Sequence, residues 1–116
     1  MESLIRQTAH LDGPAVQIVM EQEPGASGKA LIDRYQREVL KGFTFKGVRS
    51  TGSKEVRANP VSSAAEAGNV LLVQGPWIGA FLDEAVSFPG GAHDDMIDAV
   101  SGAFTELAHP RVLKWA

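Results

Sequence analysis

The chain has 116 residues and no cysteine, which excludes disulfides, thiolate metal sites and cysteine nucleophiles. Hydrophobic residues make up 44% and charged residues 22%, the balance of one folded domain over residues 1–116 and not of a disordered segment. A formal net charge of −3 argues against a dedicated polyanion binder but not against a local basic patch.

Met1–His10 has the spacing of a short helix, with Leu4, Ile5, Thr8 and Ala9 on one face. It lacks the long apolar stretch of a secretory signal, and no later run approaches the roughly 18 residues of a membrane span. A soluble, cytoplasmic protein without membrane partners is therefore expected. Gly13-Pro14 stops the helix. Val16–Met20 is short, apolar and β-branched, and reads as a mostly buried strand running into Glu21.

Pro24-Gly25 breaks that strand, and Gly25-Ala26-Ser27-Gly28 turns into a helix from Lys29 to Lys41 with Leu31, Tyr35, Val39 and Leu40 as its apolar stripe. Phe43–Val48 reads as a second strand. Arg49–Pro60 is polar and basic and reads as a long loop, followed by a short helix at Ser62–Ala67. Val70–Val73 reads as a third strand. A helix then starts at Pro76, with Trp77, Phe81, Ala85 and Phe88 at helical spacing. Pro89-Gly90-Gly91 breaks it, and the last helix runs from His93 to Ala108 with Ile97, Val100, Phe104 and Leu107 facing inward. This order is an α/β pattern, and its two strand–helix–strand crossovers predict a small, mostly parallel sheet flanked by helices.

The sharpest chemical feature is acidic. Glu21 lies at a strand end, and Asp94, Asp95 and Asp98 open the final helix three and four positions apart, in one sector. Repulsion at that spacing costs a few tenths of a kcal/mol. The helix dipole returns about 0.3–1 kcal/mol for each first-turn acid. Two readings follow. Asp94 is a helix cap, or the acids form a hard-cation site, since magnesium takes one or two carboxylates and completes its octahedron with water or phosphate. His93 beside them is a structural turn residue or an accessory group at the site.

Gly25–Lys29 follows a strand and opens a helix, as a phosphate loop does. However, only two residues separate Gly25 from Gly28, and Ala30 follows Lys29, so the nucleotide-loop spacing fails. A tight turn with Ser27 as the cap is the better reading, with Lys29 as an accessory phosphate contact. Lys46, Arg49, Lys54 and Arg57 concentrate positive charge in one stretch. They form either a solvated loop or a salt-sensitive contact to a phosphate backbone.

From Val16 to Leu107 the chain resembles the C-terminal nuclease domain of the tailed-phage terminase large subunit. The resemblance rests on four segments in order: Ile18–Lys29, Thr51–Lys54, Ala65–Val70 and Phe88–Ala99. It implies a partial RNase H-like fold and metal-dependent endonucleolytic cleavage of double-stranded DNA with Mg2+ or Mn2+, during DNA packaging in the bacterial host. It also implies Glu21, Asp94 and Asp95 as catalytic metal ligands, with Asp98 as a further ligand. Lys46, Arg49, Lys54 and Arg57 would lie along DNA, and the terminase ATPase part, small subunit and portal would be partners.

The family's first nuclease strand carries another essential Asp, whereas only a helix precedes Val16 here. The expectation is a site short of one carboxylate and a strand with an open edge prone to self-association. The alternative function is a non-catalytic DNA-binding or assembly module, or a prophage remnant, of the same fold.

Overall fold

The computed structural model describes residues 1–49 and 52–108. These form two compact units, Met1–Thr51 and Gly52–Ala116. The first contains helix α1 (Glu2–Asp12), strand β1 (Ile18–Gln22), helix α2 (Ala26–Arg34) continuing as a π-helical turn (Tyr35–Val39), and strand β2 (Phe45–Arg49). The second contains three helices: α3 (Lys54–Glu66), α4 (Ile78–Ser87) and α5 (Asp95–Ala108).

In the first unit, β1 and β2 pair in parallel from Ile18 opposite Phe45 to Gln22 opposite Arg49. This is the strand–helix–strand crossover expected from the sequence, with α2 as its helix. Its core is Ala9, Ile32, Tyr35, Val39, Leu40 and Phe45, with Ile5, Ile18, Met20 and Phe43 packed against it. Ile32, not Leu31, belongs to the buried stripe, and Leu31 is exposed. The π-helical turn explains why two consecutive residues, Val39 and Leu40, are both buried. The Leu40 N–H donates to the Tyr35 carbonyl five positions back, at 2.7 Å, and the wider turn swings both side chains inward.

β1 begins two residues later than expected and is half-buried rather than mostly buried. Val16 stays outside it because its N–H is taken by the Gly13 carbonyl in the preceding turn, at 3.3 Å. Two glycines set the strand–helix packing. A Cβ on Gly47 of β2 would stand 2.8 Å from the Ile32 side chain, and one on Gly28 would stand 1.9 Å from the Glu23 carbonyl oxygen.

In the second unit, the expected long loop at Arg49–Pro60 is instead mostly helix. Ser53 is the N-cap of α3, its Oγ accepting the Val56 N–H at 3.2 Å, and the helix continues through Pro60 and absorbs the expected short helix from Ser62 up to Glu66, with Ala67 as its C-cap. Pro60 costs one backbone hydrogen bond but does not end the helix. Thr51, one of the residues that carry the resemblance, lies outside the described residues.

The third strand does not form. Val70–Val73 has no regular structure, and Leu71 and Val73 are exposed. An apolar, β-branched run becomes a strand only where an edge accepts its backbone groups. Among the described residues the sheet therefore has two strands.

α4 buries Glu84, while Ala85 of the expected stripe is exposed. α5 buries Ile97 and Ser101, and Leu107 is exposed. Both α3 and α4 pack against α5. Among the described residues, no helix is long and apolar enough to cross a membrane.

Candidate functional site

The start of α5 is where side chains converge. On α3, Ala58 is buried and Val61 half-buried, so the face carrying positions 54, 58 and 61 turns toward α5. On α5 the buried residues are Ile97 and Ser101. Asp94 and Asp98 share that face, whereas Asp95 is rotated away and exposed. Packing of these two faces brings Lys54 to the two aspartates. Its Nζ donates to Asp94 Oδ2 and lies 3.3 Å from Asp98 Oδ2. The aspartate side chains are only 18% and 26% exposed, against 45% for Lys54, so the acids are partly sheltered and the lysine reaches in from solvent. The hydrogen bonds to Asp94 and then Asp98 hold the Lys54 ammonium above the ordinary lysine pKa.

Asp94 occupies the N-cap position, its carbonyl accepting the Asp98 N–H at 2.9 Å. An N-cap side chain ordinarily accepts an N–H of the first turn. Here Glu84 of α4 does so instead, its buried carboxylate accepting the Ile97 N–H at 3.1 Å. The capping work is thus done from a neighbouring helix, and the Asp94 carboxylate is turned to a cation. Glu84 is the residue that sequence reasoning missed. The available signal was an acid in the most apolar helix, one residue from the Ala85 placed on the inner face.

The other expected site residues fall as follows. Glu21 is exposed on β1, opposite Val48. Lys46 and Arg49 are exposed on β2. Arg57 is half-buried on α3, one turn after Lys54. The basic stretch is therefore divided between the two units, and Lys54 is bonded to the acids at the start of α5. His93 is exposed in the turn before α5.

Lys29 is exposed on α2 and lines a shallow hollow with Gln22, Ala26, Asp33 and Gln36. The α2 cap is Gly25, at φ +95°, and Ser27 lies inside the helix, so Ser27 is not the cap. Gly28 serves close backbone approach to Glu23, which is the tight-turn reading.

Asp94 and Asp98, converging on one ammonium, form a donor set that also suits a hard divalent ion, which needs only one or two carboxylates besides water. Among the described residues, no three His, Asp or Glu side chains gather into a metal cluster.

The chain matches one family model, described as terminase RNaseH-like domain, over residues 1–107. The match takes in α1 as well as the stretch from Val16 to Leu107. No curated protein and no solved structure gives a significant match.

Proposed function

The chain belongs to the terminase RNaseH-like domain family, and from that premise we propose that it is the nuclease module of a phage DNA-packaging terminase large subunit. It would cut double-stranded DNA endonucleolytically, with Mg2+ or Mn2+, in the cytoplasm of the bacterial host. The observation that carries this reading is the release of Asp94 from capping duty by Glu84, which leaves two sheltered carboxylates facing a cation.

Asp94 and Asp98 are the best-supported metal ligands of α5. Glu21 and Asp95 are carried over from the family pattern. Divalent ions held there would supply water activation and stabilisation of the leaving oxygen in phosphodiester hydrolysis. Lys46, Arg49, Lys54 and Arg57 contribute phosphate contacts, with Lys29 and His93 as accessory groups. The partners in this reading are double-stranded DNA and the terminase ATPase part, small subunit and portal, together with a second copy of the chain.

Nicking of supercoiled plasmid in Mn2+ tests the proposal. Cutting that Glu21→Gln and Asp94→Asn abolish is the expected result, and Asp95→Asn decides whether the exposed neighbour also binds metal. A folded protein that never cuts would leave the second reading, a non-catalytic DNA-binding or assembly module or a prophage remnant. That reading is favoured by one observation, the lack of any three gathered ligands among the described residues.

A further inference from the structure

The basic stretch as a whole was expected to face DNA, yet the Lys54 ammonium is paired within the chain. It sits between Asp94 and Asp98, bonded to one and 3.3 Å from the other. Its place at the first position of α3 is fixed by the Ser53 cap behind it and by buried Ala58 one turn ahead. We propose that Lys54 is an internal counter-cation. It occupies the position between Asp94 and Asp98 that a divalent ion takes, so that lysine and metal exclude each other and Lys54 becomes free for a DNA phosphate only when metal is bound. The inference rests on the metal-binding reading of these aspartates.

Three features of the pair support exchange over a fixed structural bridge. The ammonium and a hydrated divalent ion want the same carboxylate oxygens, because both are hard cations that bind oxygen. The lysine is the more exposed partner, with 45% of its side chain accessible, so it can leave without uncovering the residues that α3 and α5 bury, Ala58, Ile97 and Ser101. An ion pair this open contributes little, so releasing the lysine costs little.

The test is Mn2+ binding by the full chain, read from the electron paramagnetic resonance signal of free Mn2+, for wild type, Lys54→Met, Lys54→Gln, Lys54→Arg and Asp94→Asn. Both neutral variants should bind Mn2+ about two- to five-fold more tightly, the range expected when one partly exposed ion pair is removed. Lys54→Arg should stay near or below wild type, and Asp94→Asn should lose most binding. Wild-type binding that depends on Asp94 but is unchanged or weakened in both neutral variants overturns the lysine's role alone. Binding absent in wild type, or indifferent to Asp94→Asn, overturns the metal-binding reading and this inference with it.

Affinity for a short DNA duplex supplies the second readout. Lys54→Gln should weaken it in Ca2+ and leave it unchanged in a chelator. An equal loss in both conditions would make Lys54 an ordinary phosphate contact and overturn the exchange.

Discussion

In the unit Met1–Thr51, charges pair on the surface around a wholly apolar interior. Arg34 bridges Glu2 of α1 and Glu38 one turn ahead, and Arg37 meets Asp33 at 2.8 Å, all with largely exposed side chains. In the unit Gly52–Ala116, charge enters the interior instead. Glu84 is buried against the start of α5, Ser101 is buried one turn along that helix, and Lys54 joins the sheltered Asp94 and Asp98. Exposed pairs contribute little to stability. A buried carboxylate is kept only where it has donors to satisfy. The first unit thus behaves as a scaffold held by packing, and the second uses its polar interior to orient charged side chains.

Substitutions can break this contrast, and the largest effect should come from the scaffold. Leu40 is 1% exposed at the end of the π-helical turn, and Leu40→Ala should cost about 2–5 kcal/mol in urea unfolding. A cost under 1 kcal/mol would mean that the apolar cluster is not what holds this unit.

Next comes Glu84→Ala, which orphans the Ile97 N–H in a buried setting and should cost about 1–3 kcal/mol. Glu84→Gln keeps an acceptor and should recover part of that loss. If Glu84 positions the aspartates, Glu84→Ala should also weaken Mn2+ binding, because Asp94 would be drawn back to its own helix end.

The smallest effect belongs to Glu2. Its hydrogen bond to Arg34 holds its pKa below the usual value of 4.5, so its contribution is present above that pH and is lost as pH falls through the depressed folded value. Glu2→Gln should therefore leave stability at neutral pH almost unchanged and slightly flatten its fall in acid, measured as melting temperature against pH.

The same contrast explains what the sequence made legible. The strand–helix–strand of the first unit was readable because apolar spacing and glycine breaks act locally, and its core residues differ from expectation by one position at Leu31 and Ile32. In the second unit the informative interactions are between helices. Asp94 and Asp98 were legible as a cluster, but their choice of Lys54 over the helix end depends on α3 lying against α5, which no local pattern encodes. Glu84 looked like an ordinary acid beside Ala85. Basic composition and Pro60 masked α3, although Ser53 was a usable cap signal. Val70–Val73 carried every strand mark except the partner that makes a strand.

The π-helical turn at Tyr35–Val39 has a consequence for how the gene can change. Such a turn holds one residue more than the α-helix around it. Removing one of the exposed residues there would turn the Leu40 N–H to Tyr35 carbonyl bond into an ordinary α-helical one, so regular winding would return with Leu40 still held in the core. Single-codon deletions between Gln36 and Glu38 should therefore be tolerated, whereas deletions in the regular turns of α2 before Tyr35 should be rejected, so a library of single-residue deletions would show a silent window inside a helix.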